Sequence, residues 1–231
     1  CILCVKDSIA EEKHQMLKSL EAEVVLCPAG VDPEHPESYY SKALELSETI
    51  PNAFYINQNF NPLNKQAHYE TTGPEIWSQS KGRVTHLIAS CSTGGTLSGT
   101  GRFLKEQNPL VKVYGVDTEG SVLKPFHEQG TYDKATIGSS KISGVGKNII
   151  TDNVDFELID SFIRVDVKGS TRLTKQLIKD EGIWAGHSSG AVLQALFDIS
   201  DSLTKDDFVV LIFPDHGSRY VHKLYNNGLD H

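Results

Sequence analysis

The sequence predicts an α/β fold built on an open, mostly parallel sheet flanked by helices. Two observations predict it. Short apolar runs alternate with amphipathic stretches along the whole chain, the pattern of successive strand–helix units. Phe208-Val-Val-Leu-Ile-Phe213 is six apolar residues in a row, as expected for a strand covered on both faces.

The elements follow in order. Ile2–Val5 reads as a strand. Ser8 with Glu11 makes a capping box for a helix whose apolar face carries Ile9, Met16, Leu17 and Leu20. Glu23–Cys27 is a strand stopped by Pro28. Ser38 to Ile50 is amphipathic through Tyr40, Ala43, Leu44 and Ile50, and Ala53–Ile56 reads as a strand. The stretch from Asn57 to Asn64 holds four asparagines and a proline, which mark an irregular loop. His68–Ser80 is helical with an interruption at Pro74. Val84–Ser90 and Val111–Asp117 are strands flanking a helix. Phe126 to Asn153, rich in glycine and serine and without a period, reads as a long loop. Phe156–Val165 is a strand segment with a polar break at Asp160-Ser161. Ser170 caps a helix through Leu173, Leu177 and Ile178. Ile183–Ala185 is short and apolar. Val192, Leu196, Ile199 and Leu203 fall at helical spacing, and a short helix from Ser218 follows the last strand.

Composition bounds the function. The chain has 231 residues, enough for one large domain or two small ones. A net charge of -8 without a basic cluster argues against a nucleic-acid surface. No apolar stretch approaches the roughly 20 residues of a membrane span, and Cys1–Val5 lacks the basic n-region and length of a secretory leader. Cys1, Cys4, Cys27 and Cys91 are spread thinly, as in a reducing compartment, so a cytoplasmic location is expected. The Cys1-x-x-Cys4 spacing lies on a strand, where residues three apart face opposite sides, so no metal site is expected. The chain starts without methionine and with an apolar strand. Such a start is expected of the later part of a longer protein.

Two turns carry chemistry. Ser92-Thr-Gly-Gly-Thr96 lies between a strand and a helix. A helix N-terminus carries a partial positive charge and unpaired N–H donors; with three hydroxyls nearby, a phosphate group is the expected guest. No lysine follows Gly95 as a P-loop requires, and Gly99-Thr-Gly101 comes too late for a dinucleotide fingerprint. Gly186-His-Ser-Ser-Gly190 matches the G-x-S-x-G elbow of serine hydrolases. In that reading Ser188 is the nucleophile, Asp215 the acid and His222 or His231 the base, but the spacing is poor and no HGGG-type oxyanion segment exists.

Gln58, Asn61-Pro62, His68-Tyr-Glu-Thr-Thr72, Ser92-Thr-Gly-Gly-Thr96, Gly144-Val-Gly146, Gly186-His-Ser-Ser-Gly190 and Phe213-Pro-Asp215 occur in a fixed order. Over nearly the whole chain this resembles the pyridoxal-phosphate enzymes of the cysteine synthase and cystathionine β-synthase family. Val116-Asp-Thr-Glu-Gly-Ser121 looks more like the cystathionine β-synthase branch. The resemblance implies a tryptophan synthase β-subunit-like fold (type II among pyridoxal-phosphate enzymes), truncated at the N-terminus. Residues 1–55 would be the second half of the small mobile domain, and 56–231 the large cofactor-binding domain. It implies that Ser92, Thr93, Gly94, Gly95 and Thr96 hold the phosphate and that Ser188 hydrogen-bonds the pyridine nitrogen. Gln58 would face the substrate carboxylate, with Gly144 and Gly146 at the mouth. Three positions depart from the family pattern. Ser92 stands for the usual glycine, which requires a negative φ; Ser143 stands where an acidic residue is often found, and Lys147 where an aromatic one is frequent. No lysine occupies a matching motif, so the Schiff-base lysine is expected upstream of Cys1, and no catalytic residue is assigned in this chain.

The implied activity is β-replacement on serine or an activated serine by a thiol, in cysteine and sulfur amino-acid metabolism, with small amino-acid and thiol substrates and a homodimer. The alternatives are a cysteine synthase (O-acetylserine sulfhydrylase), a serine/threonine deaminase, a chain that binds a phosphate ligand without catalysis, and the Ser188 hydrolase.

Overall fold

The computed structural model describes residues 1–225, and the chain divides into two compact units, Cys1–Asn57 and Gln58–His231. In the first unit, β1 (Ile2–Lys6) leads through α1 (Glu11–Ser19) to β2 (Glu23–Cys27), and α2 (Tyr39–Thr49) follows. β1 and β2 pair in parallel from Ile2 opposite Glu23 to Lys6 opposite Cys27. Pro28, which has no N–H to give a ladder, directly follows the last paired residue.

Two expectations fail in this unit. α1 starts behind Ala10 with no side-chain cap. Ser8 sits in the turn leaving β1, where the Ile9 N–H bonds the Lys6 carbonyl at 3.0 Å, too early to cap. Glu11 and Glu12 instead place negative charge on the first turn. Ala53–Ile56 forms no strand. β1 and β2 pair only with each other, so the apolar segment has no ladder to join, and Phe54 is 80% exposed. By contrast Ser38 caps α2, accepting from the Ser41 N–H at 3.1 Å. The four cysteines are free thiols; Cys1 is exposed and Cys4 half-buried. Cys4 meets Cys27 on the neighbouring strand, and burial pushes both thiols up.

The second unit runs α3 (Leu63–Glu70), α4 (Thr72–Gln79), β3 (His86–Ser90), α5 (Gly95–Gln107), β4 (Lys112–Thr118), α6 (Leu123–Gln129), β5 (Ser161–Val165), α7 (Val167–Glu181), α8 (His187–Ile199), β6 (Val209–Leu211) and α9 (Val221–Leu224). The sheet order is β5-β4-β3-β6, every pair parallel. Strand alternation divides the core between its faces. Leu87 and Ala89 of β3 pack with Leu97, Leu104 and Phe162 on the α5 side. Ile88 packs with Val116, Ala191, Val192 and Ala195 on the α8 side.

Several boundaries differ from the sequence reading, each for a local reason. α3 and α4 part at Thr71 (φ −123°, ψ −67°); Pro74 sits in the first turn of α4, where a missing N–H costs nothing. α6 fills the start of the stretch read as a long loop. Phe156–Leu158 is a single 3₁₀ turn, and β5 begins only after Asp160. That carboxylate is held by Lys105, Lys112 and the Val113 N–H. Asp166, not Ser170, caps α7, accepting from the Gly169 N–H at 2.8 Å. Ser170 lies a turn inside the helix and donates back to the Asp166 carbonyl.

Candidate functional site

The order β5-β4-β3-β6 places a switch point at the carboxyl end of β3. The chain leaves β3 for β4 and β5 on one side, and the last strand returns on the other. Ligands of open α/β sheets bind in such crevices, and Ser92–Thr96 lies there. Gly94 is the N-cap of α5 in the left-handed region (φ 94°), and no side chain caps the helix. The first-turn N–H groups of α5 therefore have neither an intrahelical nor a side-chain capping partner, and the helix dipole adds to their pull on an anion. Ser92 has no positive φ, so serine is tolerated there.

The glycines make room for protein. A Cβ on Gly94 would lie 2.7 Å from the Asn153 carbonyl and overlap Val154; one on Gly95 would overlap the Asn64 amide. Asn64 donates to the Gln58 carbonyl (2.8 Å) and to Thr93 Oγ1 (3.2 Å). Asn153 donates to the carbonyls of Gln58 (3.2 Å) and Asn59 (3.0 Å). Thr151 O–H bonds the Thr93 carbonyl at 2.7 Å. Gln58, its side chain exposed, is thus tied to the turn through its backbone. Thr96 Oγ1 lies 3.0 Å from His68 Nε2, and His68 Nδ1 lies 2.9 Å from Thr72 Oγ1. Burial holds the His68 ring below the ordinary histidine range.

The second turn opens α8 behind Gly186, again without a side-chain cap. Ser188 is 2% exposed. A Cβ on Gly144 would stand 3.9 Å from Ser188 Oγ, and the Gly146 N–H donates to the Cys91 carbonyl at 2.7 Å. The Gly144–Gly146 strap, with φ of 82° and 80° at its glycines, therefore reaches from Ser188 to the residue preceding Ser92. The structure brings together Gln58, the Ser92–Thr96 turn, Gly144, Gly146 and Ser188. Of the residues in the hydrolase reading, Asp215 accepts from the Tyr220 hydroxyl at 2.6 Å and His222 lies exposed. His231 is outside the described residues. Among the described residues no cluster of three or more metal-ligating side chains occurs, and no helix is long and apolar enough to cross a membrane.

Asn64, Thr151, Asn153 and the role of His68 escaped the sequence reading. One signal pointed to Asn64 and His68: Gly95 and Gly99, four apart, line one face of α5. A Cβ on Gly99 would overlap the Lys65 carbonyl and stand 2.9 Å from His68 Cβ, so the bare face lets α3 come close.

His187, beside Ser188, is 1% exposed. Burial, then the charge of Lys223, lowers its pKa to about 4. Its folded pKa lies below the unfolded value near 6.5, so the unfolded chain binds the extra proton. Stability is full above pH 6.5 and declines as pH falls toward 4. We expect a loss of about 2 kcal/mol between pH 7 and pH 5 from this group alone. Denaturant titrations at the two pH values check it: His187→Gln should flatten the slope, and an unchanged slope would remove His187 as its source.

The chain matches the family described as pyridoxal-phosphate dependent enzyme over residues 1–215. It is 34% identical over 224 residues to the cystathionine beta-synthase of Apis mellifera, covering 97% of this chain and 44% of that protein. It is also 34% identical over 228 residues to cysteine synthase 1 of Neurospora crassa, covering 97% and 60%. A solved structure, the O-acetylserine dependent cystathionine beta-synthase from Helicobacter pylori, superposes with a TM-score of 0.85 at 33% identity, covering 97% of this chain and 70% of that one. The chain spans about half the length of these curated relatives.

Proposed function

Because the chain belongs to the family of pyridoxal-phosphate-dependent enzymes, we propose that it carries the cofactor- and substrate-holding part of an enzyme that replaces the β-substituent of serine, or of an activated serine, with a thiol. The observation that carries this reading is the meeting of two uncapped helix N-termini with one glycine strap.

The residues present fit pyridoxal phosphate. The open first turn of α5, with the hydroxyls of Ser92, Thr93 and Thr96, suits a phosphate dianion. The buried hydroxyl of Ser188 suits a ring nitrogen. When bound, the cofactor supplies an electron sink for the α-carbon of an amino acid. Ser188 can only share a neutral hydrogen bond, which leaves that nitrogen unprotonated and the sink moderate, a setting that favours loss of the β-substituent. Gln58 faces the substrate carboxylate. Gly144 and Gly146 present bare backbone at the mouth; a side chain on Gly146 would crowd Thr118 and Ser121, and one on Gly144 would come into contact with Ser188. None of the chain's own lysines is proposed for the Schiff base. In this reading the unit Cys1–Asn57 is the second half of the smaller domain. The protein works as a homodimer in the cytoplasm on small amino-acid and thiol substrates.

The test is product analysis on the full-length protein with pyridoxal phosphate, serine or O-acetylserine, and homocysteine or sulfide. Cystathionine is the expected product from homocysteine; cysteine from sulfide alone would assign the cysteine synthase reaction. Ammonia and oxoacid without a thiol product would replace β-replacement with deamination. A bound cofactor with no turnover of either kind would leave a ligand-binding protein.

A further inference from the structure

The two threonines of the anion turn are each backed by a nitrogen, and the chemistry of that nitrogen decides where the threonine proton points. A hydroxyl has one proton. If its oxygen accepts a hydrogen bond from behind, the proton is free to be donated in front; if the proton is donated behind, lone pairs face forward and repel an anion. For Thr93 the choice is made. Asn64 Nδ2 also donates to the Gln58 carbonyl, so the amide presents its NH₂ to Thr93 Oγ1, and the Thr93 O–H is free for a guest.

For Thr96 the backing nitrogen is His68 Nε2, at 3.0 Å. A neutral imidazole has one N–H and one bare nitrogen, and burial favours the neutral form of this ring. With the proton on Nδ1, Nδ1 donates to Thr72 Oγ1 and Nε2 takes the Thr96 proton, turning lone pairs toward the turn. With the proton on Nε2, the Thr72 O–H donates to Nδ1 across 2.9 Å, Nε2–H donates to Thr96, and the Thr96 O–H is released. The whole chain reverses as a unit because Thr72 and Thr96 can each either give or accept.

We infer, resting on the cofactor reading above, that His68 is a positioning residue for the bound phosphate group: it carries its proton on Nε2 when the anion is present, so that Thr72, His68 and Thr96 donate in series toward the turn. The close approach of α3 to α5 over Gly99 brings the ring there.

The test uses full-length protein labelled with ¹⁵N-histidine, without ligand, with inorganic phosphate and with pyridoxal phosphate. The expected result is an Nε2–H signature for His68 in both loaded states; an Nδ1–H signature there overturns the inference. In parallel, pyridoxal phosphate affinity is compared in three folded variants. His68→Gln keeps an N–H at the Nε2 position and should bind within about threefold of wild type. His68→Asn, which reaches only the Nδ1 position, and His68→Leu should each bind about tenfold more weakly, as for one lost hydrogen bond to a charged group. Equal losses in Gln and Asn variants would reduce His68 to a packing residue and refute the donation chain. Failure of wild type to bind pyridoxal phosphate at all would overturn the cofactor reading and this inference with it, whereas normal binding with the wrong tautomer overturns this inference alone.

Discussion

Gly94→Val should strip the protein of pyridoxal phosphate, to less than about a tenth of wild-type content. Two costs coincide at this position. The backbone stands at φ 94°, where a β-branched residue is strained by about 1–3 kcal/mol. The added Cβ would lie 2.7 Å from the Asn153 carbonyl and overlap Val154, and the neighbour is backbone that cannot rotate aside. The turn must move, and its N–H groups move with it. Thermal unfolding and bound-cofactor absorbance, measured on the same sample, check this. Gly130→Ala is the control: its φ is 69° but its Cβ would meet nothing within 4 Å, so cofactor content should hold. A folded Gly94→Val protein with full cofactor content would mean that the Ser92–Thr96 turn is not the phosphate site.

Ser188→Asp should retain cofactor but lower β-replacement about 100-fold, the scale of removing one matched polar contact at a reacting system. Residue 188 is 2% exposed at the first turn of α8, where the helix dipole favours an ionised carboxylate. That charge would hold a proton on the pyridine nitrogen and deepen the electron sink past what β-elimination needs. Turnover and the absorbance of the loaded protein report the change. Wild-type Ser188 should also stay unlabelled by a fluorophosphonate probe, since Asp215 is bonded to Tyr220. Stoichiometric labelling there would revive the hydrolase reading.

Much of the second unit was legible because its signals are local. A six-residue apolar run marks a strand, although only Val209–Leu211 pairs and this edge strand is half-buried rather than covered on both faces; paired glycines mark a turn, and both candidate turns fall where a strand meets a helix. The failures also have local causes. Ala53–Ile56 is a short apolar run of strand-favouring residues, yet a strand is a relation between two segments, and no partner pairs with it in its unit. Ser8 and Ser170 are plausible caps by type, but Asp166 outcompetes Ser170 because it sits at the actual first turn and accepts from Gly169. The candidate site was half legible. Ser92–Thr96 and Ser188 announce themselves, whereas Asn64, His68 and Asn153 act across 28 to 95 residues of chain, a separation that no window of sequence reports.

The sheet also sets an order of assembly. β3 pairs on one side with β4, which follows within a few tens of residues, and on the other with β6, with Leu87 opposite Val210. The Phe208 N–H reaches back to Thr85 Oγ1. During synthesis, β3 therefore waits with one edge bare until residues near 209 have emerged from the ribosome. His86-Leu-Ile-Ala-Ser90 is short, uncharged apart from its histidine, and apolar at its centre, so the waiting edge is a template for intermolecular pairing. A ribosome stalled before Val209 would present that edge indefinitely, and chains released at that point should be the ones that aggregate and recruit chaperones.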